Sequence, residues 1–239
     1  PFPEEANRRL ISQIATLHFA PTNDAYINLK QSKVTGIIEV TGNTVIDALH
    51  FASKKVKQAN FKKINWNDQK VILVTVHRRE NWGEPIKDIA LSLRKILDRN
   101  PETSIIFAMH ANPIVRGPIQ EILQNHPRCE LVDPLNYENL VYVLKSCYLI
   151  LTDSGGIQEE APSFSKPLLI LRKTTERSEA LKSGVAKLVG CNPEKIIAES
   201  EKLIKNKSDY EAMSSSKNPF GDGKASKRIL KTCINYLLK

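Results

Sequence analysis

Short apolar runs alternate with amphipathic segments from residue 70 to residue 215. The runs are rich in Val, Ile and Leu and end in polar turns, which is typical of buried parallel strands. They predict six strands, at Val71–Val76, Ser104–Met109, Glu130–Val132, Leu149–Thr152, Leu168–Leu171 and Ala186–Val189. Apolar positions at helical spacing predict helices near 86–98, 114–125, 137–146, 156–164, 193–206 and 208–215. The alternation predicts an α/β fold whose parallel sheet is covered on both faces.

The N-terminal part shows the same alternation with shorter elements. Helices and strands are predicted in turn at 4–17, 18–21, 23–29, 36–40 and 44–56. Residues 57–69 are polar and irregular, so they are the best candidate for a linker. We therefore expect 1–56 to be the C-terminal part of a first Rossmann-like domain and 70–222 to be a second one. Residues 223–239 are predicted to form a helix that packs back on the first domain.

Composition narrows the classes of partner. The chain of 239 residues is 41% hydrophobic, and none of its runs approaches the roughly 20 apolar residues that span a bilayer, so no membrane is expected. The formal charge is +9 and aromatic residues are 6%. Because the lysines are spread through amphipathic helices, nucleic acid is not expected, whereas a positive field suits an anionic substrate. The four cysteines lack metal-ligand spacing and predict reduced thiols in a cytoplasmic protein without a metal site.

One run has the local pattern of a phosphate site. The apolar stretch Tyr148–Leu151 leads into Thr152-Asp153-Ser154-Gly155-Gly156, and a helix is predicted to follow. Glycines let a ligand approach the backbone closely, and the N–H groups of a helix start face an anion. Glu160 lies one helical turn beyond Gly156, so its carboxylate could accept hydrogen bonds from a ribose diol. The run predicts a nucleotide site, and the alternative is an ordinary helix cap.

Other polar side chains also follow strand ends. His77, His110, Ser154 and the segment 172–177 come directly after four of the predicted strands. Because ligands of parallel sheets bind beyond the carboxyl ends of the strands, these loops are expected to form one site. His77 is followed by Arg78, and the pair could contact a diphosphate as donor and charge. Arg177 has no local salt-bridge partner that requires it, so it is expected to bind a phosphate or nucleotide oxygen.

Six blocks resemble the non-hydrolysing UDP-N-acetylglucosamine 2-epimerases in order and spacing, between residue 1 and about residue 236. The blocks are Pro1–Arg8, Thr41–Asp47, Val76–Asn81, His110–Pro113, Thr152–Glu160 and Thr174–Arg177. The resemblance implies the two-domain glycosyltransferase-B architecture. Compared with the family, roughly the first third to two fifths is absent, and the chain begins with Pro1. We therefore expect a complete second domain plus the tail of the first.

The resemblance also implies an activity and the residues that carry it. The family interconverts UDP-N-acetylglucosamine and UDP-N-acetylmannosamine by elimination and re-addition of UDP, without a cofactor, and a homodimer is expected. Glu4 and His77 match catalytic positions, and His110 matches a position near an activating nucleotide sugar. The positions that match contacts of the UDP-sugar are Arg78, Leu140, Ser154, Gly155, Gly156, Glu160 and Arg177. Leu140 stands where some relatives have an aromatic residue, which would replace stacking on uracil by plain apolar contact.

Three alternatives stay open. A UDP-sugar glycosyltransferase of the same architecture would have a similar nucleotide half, although the blocks around Glu4 and His77 argue against it. A non-catalytic or degraded UDP-binding module would explain the missing start, and the isolated chain is expected to have negligible activity. A hydrolysing relative would release free N-acetylmannosamine and UDP.

Overall fold

The computed structural model describes residues 3–238, so Pro1 and Phe2 of the first block, and Lys239, lie outside the described residues. The helices are α1 Glu4–Ile14, α2 Asn23–Gln31, α3 Thr44–Ser53, α4 Glu84–Arg99, α5 Pro113–Leu123, α6 Tyr137–Ser146, α7 Gly155–Glu160, α8 Ser178–Lys182, α9 Pro193–Lys205, α10 Lys207–Ser214 and α11 Ala225–Leu237. The strands are β1 Leu17–Ala20, β2 Ile37–Val40, β3 Lys70–Val76, β4 Thr103–Met109, β5 Cys129–Val132, β6 Leu149–Thr152, β7 Leu168–Ile170 and β8 Ala186–Leu188.

The predicted fold class is confirmed, and every predicted strand is present with its ends within one residue. Helix prediction was less accurate at the ends. The helix predicted over 4–17 ends at Ile14, and the one predicted over 156–164 changes into a 3₁₀ helix at Ala161. The five-residue α8 was not predicted, because a single turn is too short to show helical periodicity.

The chain divides into two compact units, residues 52–218 and residues 1–51 together with 219–239. The larger unit contains a six-stranded parallel sheet in the order β5-β4-β3-β6-β7-β8. Strand order therefore reverses between the adjacent strands β3 and β6. In open α/β sheets this reversal leaves a crevice at the carboxyl ends of the two strands, where ligands bind.

The sheet of the larger unit is buried on both faces, as its apolar strands predicted. Six of the seven residues of β3 are buried. Ile72 and Phe107 lie in one core cluster with Leu93 of α4 and Ile196 of α9, all with no exposed surface. Full burial of each such side chain contributes roughly 1.5–3 kcal/mol, so this core fixes the strand ends that carry the polar loops.

The segment predicted as a linker packs within the larger unit. The Lys63 backbone N–H donates to Glu130 Oε2 at 2.6 Å, and Lys63 Nζ donates to the carbonyl oxygens of Gln124 and His126. The Trp66 ring packs edge-on against Tyr142, with centroids 5.2 Å apart. These contacts join residues far apart in sequence, which local polar composition does not reveal.

The smaller unit contains β1 and β2 as a parallel pair, with Leu17 opposite Ile37. Helix α11 belongs to this unit and begins against α3. The Asp47 carboxylate accepts the backbone N–H groups of Ala225 and Ser226 at 3.0 and 2.9 Å. Asp47 thereby satisfies two donors that a helix start leaves without partners, which gives this residue of the Thr41–Asp47 block a structural role.

Candidate functional site

The polar loops of the larger unit meet at the reversal of strand order. They surround a pocket of about 240 Å³ whose walls include the carboxyl ends of β3 and β4 and the start of α7. His77, His110, Leu140 and Ser154, all predicted site residues, line it. The remaining wall is formed by Thr75, Val76, Ala108, Met109, Pro134, Leu135 and Ile157. The lining therefore combines apolar side chains with two histidines and Ser154 of the glycine-rich turn. The other predicted site residues of this unit are not among the lining residues: Arg78, Gly155, Gly156, Glu160 and Arg177.

The glycine-rich turn joins β6 to α7. Ser154 is the N-cap of α7, with its Oγ accepting the Ile157 N–H at 3.5 Å, so the capping role is present. A Cβ added at Gly156 would meet only Ser154 Oγ, at 3.9 Å, within a 4 Å radius. A Cβ at Gly155 would lie 3.6–3.7 Å from the charged tips of Glu176, Arg177 and Arg78. The backbone of this turn is thus open at Gly156 and flanked by two arginines at Gly155.

The arginines near this turn are already paired with carboxylates. Arg177 Nε donates to Glu159 Oε1 at 2.5 Å, with the Glu159 side chain only 12% exposed, so Arg177 has a partner that its local sequence did not offer. The partner lies 18 residues away and is brought close by the packing of α7 against the loop after β7. Arg177 also lies 3.7 Å from Glu176 Oε1, and Arg78 lies 3.6 Å from the same atom.

Glu176 is the centre of this charged cluster. Its Oε2 accepts from Arg172 at 2.8 Å, and Arg172 also contacts Glu80 at 3.1 Å. Burial works against ionisation of Glu176, but a backbone hydrogen bond and Arg172 outweigh it and hold the pKa of this carboxyl below its ordinary value. Arg172, whose side chain is only 10% exposed, is thus a paired residue and not a solvated one. In this cluster the carboxylate of Glu176 is shared by Arg78, Arg172 and Arg177.

Glu160 lies in a different environment from Glu159. It is 6% exposed, and burial, reinforced by the charge of Glu159, raises its pKa from 4.5 to about 7. A buried carboxylate without a cationic partner is costly unless a ligand supplies donors. The two hydroxyl groups of a diol would supply such donors.

Asp153 is a site residue that sequence reasoning missed. It has no exposed surface, and its carboxylate accepts the backbone N–H groups of His77 and Arg78 at 3.1 and 2.9 Å. Asn81 Nδ2 donates to the same carboxylate at 2.9 Å, and His77 Nδ1 lies 3.1 Å from it. Its place beside Ser154 suggested a helix cap. The parallel pairing of β3 with β6 instead brings it to the loop after β3.

His110 has a local role as well as a place in the pocket wall. Its Nδ1 accepts the Asn112 N–H at 3.1 Å, so it orders the turn before α5. The ring lies 6.1 Å from that of Trp82, a neighbour that no sequence motif indicated. Binding of an activator at His110 stays a prediction.

Glu4 and Glu5 lie in the smaller unit, in the first turn of α1. Glu5 accepts hydrogen bonds from Arg8 and Arg9, which lower its pKa to about 2. Glu4 is exposed. Glu5 is therefore engaged within its helix, and the catalytic role of Glu4 stays a prediction.

Among residues 3–238, the His, Cys, Asp and Glu side chains form no group of three or more arranged to hold a metal ion. Over the same residues, no helix has the length and apolar character needed to cross a membrane.

Comparison with known proteins agrees with the motifs. The family model for UDP-N-acetylglucosamine 2-epimerase matches residues 1–233. The chain belongs to the UDP-N-acetylglucosamine 2-epimerase family. A UDP-N-acetylglucosamine 2-epimerase of Campylobacter jejuni is 46% identical over an alignment of 252 residues. The alignment covers all of this chain and 64% of that relative. The chain thus spans less than two thirds of the length of this epimerase.

Two solved structures that are similar to this chain contain nucleotide ligands. The UDP-GlcNAc 2-epimerase from Neisseria meningitidis bound to UDP-GlcNAc is 45% identical with a TM-score of 0.88, over 98% of this chain and 66% of that one. The S. aureus MnaA–UDP co-structure is 44% identical with a TM-score of 0.91, over 99% of this chain and 65% of that one. The predicted resemblance is confirmed as family membership and fold.

Proposed function

We propose that the protein interconverts UDP-N-acetylglucosamine and UDP-N-acetylmannosamine, and that the larger unit binds the UDP part. The observations that carry the proposal are the pocket at the strand reversal, whose lining includes apolar side chains, two histidines and Ser154, and the position of Arg78 and Arg177 beside the adjacent Gly155. Family members with UDP and UDP-GlcNAc bound support the same ligand class. We further propose a cytoplasmic homodimer, as the resemblance implies.

Each part of the nucleotide has a matching surface. The uracil would contact the apolar wall at Leu140, and the ribose diol would donate to the Glu160 carboxylate. The diphosphate would lie at Ser154, Gly155 and Gly156. There the backbone can be approached closely, and Arg78 and Arg177 supply fork-shaped donors that suit phosphate oxygens.

The chemistry follows from the position of the reacting carbon. The C2 proton of the sugar is not adjacent to a carbonyl, so its direct removal would be very slow. In the elimination a base takes the C2 proton, the C2–H electron pair forms a C1=C2 double bond, and the C1–O pair leaves with the diphosphate. In the return step C2 is protonated on its other face and the diphosphate oxygen of UDP re-forms the C1–O bond. His77 and the arginines would stabilise the charge that develops on the diphosphate, while carboxylates, with Glu4 as the candidate in this chain, would move the C2 proton.

The binding part is tested by calorimetric titration of the chain with UDP. Arg177→Ala and Glu160→Ala should each weaken UDP binding about 10- to 100-fold, the range of a charge-assisted hydrogen bond. Inorganic pyrophosphate should respond only to Arg177→Ala, and uridine only to Glu160→Ala. Lack of saturable UDP binding by a folded chain, or two variants that bind UDP normally, would contradict the assignment.

Arg177→Ala needs a matched control, because it leaves Glu159 without its cation. The stranded carboxylate would itself repel a diphosphate. The double variant Arg177→Ala, Glu159→Gln removes that repulsion and measures the loss of the arginine alone. We expect the double variant to recover only part of the lost affinity.

The catalytic part is tested by NMR of UDP-sugar mixtures. The chain is assayed alone and as a chimaera preceded by the N-terminal third of the Neisseria meningitidis relative. We expect negligible turnover by the chain alone and epimerisation by the chimaera, with a loss of about 10²- to 10⁴-fold on Glu4→Gln or His77→Asn. Release of free N-acetylmannosamine would indicate a hydrolysing relative, and sugar transfer to an acceptor would indicate a glycosyltransferase. A chimaera that binds UDP but does not convert the UDP-sugar would contradict the proposed activity and support the alternative of a non-catalytic UDP-binding module.

A further inference from the structure

Asp153 and His77 form a pair that joins two neighbouring strand ends. The Asp153 side chain has no exposed surface, whereas the His77 side chain is 41% exposed and lines the pocket. The carboxylate is held by the backbone of the loop after β3, through the N–H groups of His77 and Arg78. Asn81 Nδ2 fixes the same oxygen as Arg78, Oδ2, and also donates to the carbonyl of Leu171. The carboxylate is therefore fixed in place before any ligand binds.

The close approach of the Asp153 carboxylate to one ring nitrogen favours a proton on that nitrogen. His77 Nδ1 lies 3.1 Å from Asp153 Oδ1. An ionised carboxylate can only accept a hydrogen bond, so it favours the ring form with the proton on Nδ1. In the neutral ring the second nitrogen, Nε2, then has no proton, and in the charged ring it has one. In either state, Nδ1 is occupied by Asp153 and Nε2 is the nitrogen left for a ligand.

We propose that Asp153 is the positioning residue for His77: it holds the ring in the Nδ1–H form and leaves Nε2 for the diphosphate. Asp153 does not itself touch the ligand, because its carboxylate is enclosed by the loop after β3. In the ring protonated at both nitrogens, Nδ1–H faces the carboxylate and Nε2–H donates to the oxygen that receives the C1–O electron pair. The catalytic consequence rests on the proposed function, whereas the proton position does not.

The replacement Asp153→Asn has a defined expected result. The Arg78 N–H and Asn81 Nδ2 both donate to Oδ2, so the amide oxygen of Asn must take that position. The amide nitrogen then occupies the Oδ1 position and donates to His77 Nδ1, while the His77 backbone N–H, which donates to both oxygens in the unmodified chain, keeps only Oδ2. An Nδ1 that accepts a hydrogen bond cannot carry the proton of the neutral ring, so the proton moves to Nε2. The variant keeps the shape of the site and reverses the tautomer.

The test is nitrogen NMR of the chain with ¹⁵N-labelled histidine at a pH where the rings are neutral. The His77 signals are assigned by their absence in His77→Asn. We expect Nδ1–H in the unmodified chain and Nε2–H in Asp153→Asn. The matched control is Asp98→Asn, since Asp98 lies beside the ring of His126; it should leave the His77 tautomer unchanged.

Two results would overturn the proposal: an Nε2–H ring in the unmodified chain, or an Nδ1–H ring in a folded Asp153→Asn variant. If Asp153→Asn does not fold, the tautomer of the unmodified chain still decides. In the active chimaera, Asp153→Asn should lower kcat about 10-fold or more, because an amide N–H facing Nδ1 disfavours the ring protonated at both nitrogens and leaves only a neutral donor at Nε2, with KM changed less than about threefold. A reversed tautomer together with an inactive unmodified chimaera would contradict the proposed function and leave the positioning role intact.

Discussion

Replacing Glu160 by Gln should remove a pH dependence from the stability of the larger unit. Burial, with the neighbouring charge of Glu159, raises the pKa of Glu160 from 4.5 to about 7. As the pH rises through this interval, the unfolded chain releases the Glu160 proton before the folded chain does. The free energy of unfolding therefore falls as the pH rises from about 4.5 to above 7. The Gln side chain cannot ionise, so the variant lacks this loss.

The expected size of the effect follows from the two pKa values. The difference between 4.5 and about 7 corresponds to roughly 3 kcal/mol, since one pKa unit corresponds to about 1.4 kcal/mol. Glu160→Gln should be about as stable as the unmodified chain at pH 4.5 and more stable by up to about 3 kcal/mol at pH 8.5. Groups that titrate in both chains cancel in this difference.

Urea unfolding followed by circular dichroism at pH 4.5 and 8.5 measures both free energies. The matched control is Glu121→Gln, because Glu121 is exposed on α5 of the same unit; it should show no comparable gain at pH 8.5. An identical stability difference at the two pH values would refute the reasoning. Glu160 would then ionise as easily in the folded chain as in the unfolded one.

Three further results are expected. Glu176→Gln should strengthen UDP binding several-fold, as measured by calorimetric titration. The reason is that it removes the carboxylate that the diphosphate must displace from Arg78, Arg172 and Arg177. Weaker binding by the variant would contradict this and indicate that Glu176 itself contributes to UDP binding. Leu140→Phe should improve UDP affinity up to about 10-fold through stacking on uracil and leave pyrophosphate affinity unchanged; an equal change for both ligands would place the base elsewhere. Phe107→Ala should lower the free energy of unfolding by about 3–5 kcal/mol, and a loss below 1 kcal/mol would show that the fully buried Phe107 ring is not essential to the core.

The sequence by itself determined the elements and the place of the site along the chain. Strands β3 and β6 could be predicted because parallel strands buried on both faces are continuous apolar runs, and this signal is local. The nucleotide motif at Ser154–Glu160 was visible for the same reason, since glycines and a helix start are adjacent in sequence. Conversely, the five residues of α8 were missed because a single turn has no local pattern, and the polar composition of segment 57–69, which predicted a linker, did not show its distant packing contacts.

Only the tertiary structure decided which side chains meet. Asp153 and His77 are 76 residues apart, and the pairing of β3 with β6 brings them together. Arg177 and Glu159 are 18 residues apart, and a turn and a strand lie between them. The raised pKa of Glu160 depends on burial by the whole unit. Hydrogen bonds, ion pairs and desolvation act over a few ångströms in space, and sequence distance does not determine which residues are that close.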